Sequence, residues 1–275
     1  MTNNSISSWQ VFTEPNAGSD EANIQLRATA DGDDFIFNGQ KMFVGSWFKP
    51  DFLYVLARTK DTVPKHRGLT LFLLPGDLPG IRYKSLPIMG NHRTNEVFFD
   101  DVRVSREYML GELNRGFYHA MSVLEFERAN TGWQAECQRQ FEEFVQFCKE
   151  EKRNGKLLIE VPQVRDTLAK IAVELEVWRL AGWRTTWRFD QRERLGPLDY
   201  DLAGFYWKTF QGTHSEAMMN IIGLYGQLRT GSKWEKLRGA IERRWQNKRS
   251  LHFGGTIEIY KVVLAERGLG LPRRR

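Results

Sequence analysis

A chain of 275 residues suits one large domain or two smaller ones, and its 18 Phe and nine Trp supply ample apolar side chain for a core. Its longest apolar run, LTLFLL at 69–74, is far too short to cross a bilayer, and the N-terminus lacks the basic, apolar, small-residue order of a signal peptide, so a cytoplasmic protein with no membrane partner is expected. The net charge of +6 is spread along the chain apart from the terminal RRR; without a basic stripe carrying interleaved aromatics it argues against nucleic acid, and it serves solubility or attracts a phosphate-bearing ligand.

From Gln10 to about Ser105 the pattern predicts strands. Ile24, Leu26 and Ala28 alternate with polar residues, as on a half-buried strand. FIF and KMFV flank Asn38-Gly39, a strong hairpin signal, so a turn is predicted there. FLYVLA and LTLFLL are continuous apolar runs suited to burial on both faces, PGDLPG at 75–80 reads as a turn, and IRYKS and EVFFDDVRV bring the strand count to about seven. An antiparallel β-barrel or sandwich over 1–108 follows.

After Glu112 the spacing becomes helical. NRGFYHAMSVLEFERANTGWQ, RQFEEFVQFCKEE, PQVRDTLAKIAVELEVWRLAGWRTTWRF, DYDLAGFYWKTFQGTHSEAMMNIIG and TIEIYKVVLAER all repeat as helices do, with Pro162 and Pro197 at helix starts. A four-helix-bundle domain over 109–275 is predicted, making the whole an α+β multidomain chain. Cys137 and Cys148 share one helix about 16 Å apart, which forbids a bridge between them.

Leu113, Phe117, Ala120 and Leu124 form one helical stripe, and the next position on it is Glu127. Either the stripe has reached the surface there, or Glu127 is a buried functional acid. TEPNAGSD at 13–20 reads as a plain turn or as a loop offering amides and hydroxyls to a polar ligand. GGT before the last helix reads as ordinary capping, with Thr256 as N-cap and Glu258 in the first turn, or as an anion-binding helix start. Phosphate loops, GxGxxG, CxxC and HExxH are absent, and five scattered histidines give no metal site.

Taken in order, TEPNAGSD, DGDDFIFNGQK, ART, EVFFDDVRVS, GELNRGF, LEFER and FGGTIEI…LAERGLGLP resemble the acyl-CoA dehydrogenase family from about Trp9 to Pro272. The resemblance implies FAD held between a β-barrel and a helical bundle. It also implies removal of the α-proton of an acyl-CoA thioester by a carboxylate, with hydride passing from the β-carbon to the flavin. Many members carry the base in the loop before the last helix, where this chain has Gly254. A branch resembling isovaleryl-CoA and long-chain dehydrogenases carries it on the first bundle helix before an arginine, which here is Glu127 before Arg128. The resemblance thus makes Glu127 the catalytic base. It makes Gln10, Phe12, Thr13, Phe43, Gly45, Thr256 and Glu258 the flavin-binding positions, and Ser19, Glu125, Arg128 and Gly254 the substrate-side ones.

Three departures from the family pattern stand out. The chain reaches TEP by residue 13, so the helical N-terminal domain that walls the acyl pocket is expected to be missing. Gly45 replaces a Thr or Ser that partners flavin N5, with Ser46 next to it. Glu151, with Arg153 nearby, replaces an arginine that reaches a neighbouring subunit's flavin. The expected function is an FAD-dependent acyl-CoA dehydrogenase that works as a homo- or hetero-oligomer and passes electrons to an acceptor protein. The alternatives are a non-catalytic subunit and an acyl-CoA oxidase.

Overall fold

The computed structural model describes residues 6–45, 48–90, 92–128, 132–193, 195–246, 252 and 254–273, except for the side chains of Phe126 and Arg128. The chain divides into two compact units, Met1–Val123 and Leu124–Arg275.

The first unit is one eight-stranded sheet. Its strands are β1 (Ser8–Val11), β2 (Arg27–Asp31), β3 (Asp34–Val44), β4 (Phe52–Arg58), β5 (Leu69–Pro75), β6 (Ile81–Ile88), β7 (His92–Ser105) and β8 (Met109–Leu110). They lie in the order β6-β7-β3-β2-β4-β5-β8, with β1 on β4. The sheet is mostly antiparallel, as expected, with two parallel pairings. β1 pairs with β4 in parallel from Ser8↔Phe52 to Val11↔Val55, and β2 pairs with β4 in parallel at Arg27↔Arg58. One side of β4 is thus shared, its first half by β1 and its end by β2.

The Asn38-Gly39 hairpin is also overturned, because β3 runs straight through it. The hairpin lies at the other end of β3, where β2 returns from Asp31↔Asp34 and Gly32 takes φ 63°. Asn38-Gly39 is instead an irregularity in the pairing with β7, where Phe37↔Val102 is followed by Gly39↔Phe99. The Asn38 amide donates to Asp101 Oδ1 and its carbonyl accepts from the Asp101 N–H, both at 2.9 Å. Gly39 passes so close to the chain that a Cβ would lie 3.2 Å from Leu26 Cα. The double-faced reading of β4 and β5 holds: Leu53, Val55, Leu56, Ala57, Leu69, Leu71, Phe72 and Leu74 are all buried.

Helix α1 (Gly116–Arg128) begins at a glycine whose Cβ would fall 2.4 Å from the Leu71 amide. In the second unit α2 (Gly132–Glu150) buries Cys137, Phe141, Phe144 and Cys148, steps of four, three and four. α3 (Pro162–Asp190) buries Val164, Leu168, Ile171, Leu175, Trp178, Gly182 and Thr185 in the same rhythm. α4 (Pro197–Thr209) continues through a π turn at Phe210–His214 into α5 (Ser215–Ile222), and α6 (Ala240–Gln246) and α7 (Ile257–Val263) follow. Both prolines open their helices as predicted. The core joins α2 and α3 to Ala203, Phe210, Met218, Ile221, Ile222 and Ile241. Both cysteines are free and buried within it. No helix among the described residues is long and apolar enough to cross a membrane.

Candidate active site

In the first unit the expected flavin positions sit on a frame built around one buried ion pair. Lys41 is fully buried and its ammonium lies 2.9 Å from Glu14 Oε1. The ammonium also donates to the carbonyls of Phe12 and Leu56, each at 2.8 Å. Glu14 in turn accepts from the N–H groups of Gln25 at 2.7 Å and Leu26 at 2.8 Å. Burial pulls the Lys41 pKa down to about 8 against the opposing pull of Glu14. This pin fixes the end of β1 and the loop after it. That loop is a tight turn closed by Glu14 and Ala17, whose N–H groups each donate to the other's carbonyl, at 2.9 and 3.2 Å.

The Met42 N–H donates to the Thr13 carbonyl at 2.8 Å, which sets Thr13 beside the end of β3. There Phe43 stands with φ 56° and its ring 62% exposed. The Val44 carbonyl next to it accepts from the buried side chains of Thr94 and Asn95, at 3.2 and 3.0 Å. Gln10 and Ser19 are exposed and Thr13 is half-buried. An exposed aromatic ring next to a polar strand edge suits a flat heteroaromatic ligand, so these residues fit an isoalloxazine. Phe12 contributes differently from its neighbours: its side chain is buried against Tyr54, 5.5 Å between centroids, leaving only its backbone for a ligand. Gly45 cannot be remedied locally. It has φ 69° and lies on the Trp9 indole, so a Cβ there would stand 2.1 Å from the ring.

The stripe leading to Glu127, which runs along α1 from the first unit into the second, is buried only in its middle, at Ala120 and Leu124. Leu113 precedes the helix and is exposed, and Glu127 is exposed too. Of the two readings of this stripe, the structure agrees with the one in which it has reached the surface, and a Glu127 buried in the core is corrected. Its neighbourhood is nonetheless specific. A Cβ on Gly254 would lie 3.7 Å from Glu127 Oε1, so the two alternative positions for a carboxylate adjoin one another. Glu125 is half-buried and hydrogen-bonds to Tyr200; burial, and then this carboxylate, push the Tyr200 phenol up to about 12. The Arg128 side chain and Ser46 lie outside the described residues.

Gly254 and Gly255 precede α7, whose cap is Thr256 as predicted: its hydroxyl accepts from the Ile259 N–H at 3.4 Å. Glu258 is in the first turn, and a hydrogen bond from its own backbone N–H holds its carboxyl below the usual range. Glu151 is engaged by Lys236 at 3.0 Å, and Arg153 donates to the Ile221 carbonyl at 2.6 Å. Sequence reasoning passed over Lys41, Thr94, Asn95 and Tyr260. Lys41 was signalled by the alternation of β3, on which Phe35, Phe37 and Lys41 all point inward.

Residues 10–102 match the family model for the acyl-CoA dehydrogenase middle domain, and residues 114–269 match that for the acyl-CoA dehydrogenase C-terminal domain. Acyl-CoA dehydrogenase FadE26 of Mycobacterium tuberculosis is 31% identical over 274 residues, covering 95% of this chain and 67% of that protein. The mitochondrial long-chain specific acyl-CoA dehydrogenase of Rattus norvegicus is 31% identical over 93% of this chain and 59% of its own length. Among solved structures, an acyl-CoA dehydrogenase from Geobacillus kaustophilus superposes with a TM-score of 0.86 at 30% identity, over 96% of this chain and 69% of that one. The ChsE4-ChsE5 complex from Mycobacterium tuberculosis gives 0.87 at 27% identity, over 98% and 70%. The chain therefore spans about two thirds of the length of such relatives.

Proposed function

Because the chain belongs to the acyl-CoA dehydrogenase family of FAD flavoproteins, we propose that it oxidises an acyl-CoA thioester between its α- and β-carbons with Glu127 as the base. The observation that carries this reading is the adjacency of Glu127 Oε1 to the Gly254 position, 3.7 Å from where a side chain would begin. A carboxylate on either residue reaches the same point, and this chain has it on the helix. Glu127 takes the α-proton, and a bound acyl chain lying over the exposed carboxylate excludes water and makes it a stronger base. Bound FAD supplies the acceptor for the β-hydride. Gln10, the Phe12 backbone, Thr13 and Phe43 would hold the isoalloxazine of bound FAD, and Thr256 and Glu258 would contact its nucleotide. Ser19, Glu125, Arg128 and Gly254 line the thioester side.

The working form is an oligomer, with itself or with a second family chain. α3 presents Val173, Val177, Leu180, Trp183 and Trp187 along one exposed face, the two tryptophans 64% and 60% exposed. Apolar faces of this extent mark interfaces. An acceptor protein takes the electrons onward. Gly45 favours a second reading, a subunit that shares the fold without turning over, because it withholds a hydroxyl from the flavin face.

Anaerobic titration separates the two. The first reading expects flavin absorbance in the purified protein or its complex, and bleaching on addition of an acyl-CoA from a panel of short, long, branched and ring-bearing acyl groups. Flavin that stays oxidised with every thioester, or a protein that takes up none from excess FAD, would leave the non-catalytic subunit.

A further inference from the structure

Two bare positions precede α7 beside Glu127: Gly254 and Gly255 both stand at positive φ, 62° and 87°. Two glycines in sequence give a backbone with wide freedom. The anchors on it come from the helix that follows. Thr256 caps that helix, and one turn further the Tyr260 hydroxyl donates to the Gly254 carbonyl at 2.9 Å.

Tyr260 is itself firmly seated. It is buried, and its ring lies on α4 at Gly204, where a Cβ would stand 2.4 Å from the ring carbon Cε1. Lys208, one turn along α4, holds its ammonium 5.4 Å from the ring centroid. The two bare positions therefore belong to one arrangement. Gly204 admits the ring, and Gly254 is gripped by its hydroxyl.

Resting on the reading of Glu127 as base, we propose that Tyr260 is a positioning residue of this site: by holding the Gly254 carbonyl it fixes the backbone wall that Glu127 faces. That wall limits where the thioester α-carbon settles relative to the carboxylate. Proton transfer between a carboxylate and a carbon is sensitive to displacements well under an ångström or two. Tyr260 acts through Gly254 and does not touch the reacting atoms.

Tyr260→Phe removes one hydroxyl and keeps the ring on Gly204, so the fold is retained. In the flavin-loaded protein or complex, the rate of flavin reduction is expected to fall about tenfold while acyl-CoA affinity stays at the parent value, the size set by one lost hydrogen bond. Amide exchange at Gly255 and Thr256 is expected to quicken by a similar factor. Gly204→Ala pushes the ring without removing the hydroxyl and should reproduce the slower reduction. A Tyr260→Phe protein that reduces its flavin at the parent rate overturns the inference, even with faster exchange, since the phenol would then anchor structure only. That result leaves the role of Glu127 intact. A Glu127→Gln protein as fast as the parent would remove the reading beneath, and this inference with it.

Discussion

The candidate residues of the two units are held in place by opposite means. On the sheet, the residues proposed to hold flavin hang from a buried ion pair, with Lys41 and Glu14 satisfied by four backbone partners. On the bundle, the acid stands exposed, and Gly254 and Gly255 next to it are anchored by a cap and a phenol. The difference shows where each half gets its geometry. The sheet residues are held by satisfied buried charges, and the bundle residues by one helix cap and one phenol hydrogen bond.

Lys41→Met should give the largest effect. It strands the Glu14 carboxylate in the interior, and breaking a buried pair from one side costs about 3–5 kcal/mol. Urea unfolding is expected to shift by that amount, with flavin lost together with the frame. A loss below about 1 kcal/mol would mean that the pin is not what holds this half.

Gly45→Thr sharpens the same half from another side. It adds the hydroxyl that the family resemblance implies at this position, yet forces a Cβ into the Trp9 ring at positive φ. Stability should fall by about 1–3 kcal/mol, as in overpacked cores, and flavin affinity should not improve. A stable variant that binds FAD more tightly would show that Trp9 yields freely.

These expectations depend on features that were unevenly legible. Helix and strand types were readable because Phe141, Phe144 and Leu168 through Trp178 keep the helical rhythm, while the apolar runs of β4 and β5 are buried on both faces. Thr256 as a cap followed from local chemistry alone. Asn38-Gly39 misled because turn propensity is local, whereas its fate was set by Asp101, 63 residues away. Reading a turn there also hid the inward phase of Lys41. The exposure of Glu127 was unreadable because a helical stripe shows which residues share a face, not where the partner surface ends. Tyr260 was unreadable too, since its grip depends on Gly204 in another helix.

On the bundle, Trp183→Glu with Trp187→Glu tests the exposed α3 face. Charge on two tryptophans at an interface is expected to weaken self- or partner association by about 2 kcal/mol or more, visible by light scattering as smaller assemblies. Unchanged assembly would place the interface elsewhere.

The smallest effect is with pH. The folded pKa of Lys41 is near 8 against 10.5 for the ordinary group, so between these values the unfolded chain binds more protons at this residue. Stability therefore rises with pH across that window, and the parent should gain on Lys41→Met as pH goes from 8 to 10. A gap that stays constant would mean Lys41 titrates normally.

The central claim is that Glu127 is the base. Glu127→Gln keeps size and shape but cannot accept the α-proton. Stopped-flow reduction of the bound flavin by a competent acyl-CoA is predicted to slow by about 10²–10⁴-fold with flavin content unchanged, and Gly254→Glu in that background is predicted to recover part of the rate. Glu127→Gln reducing its flavin as fast as the parent would contradict the account and leave Glu127 a solvated acid at the end of a helical stripe.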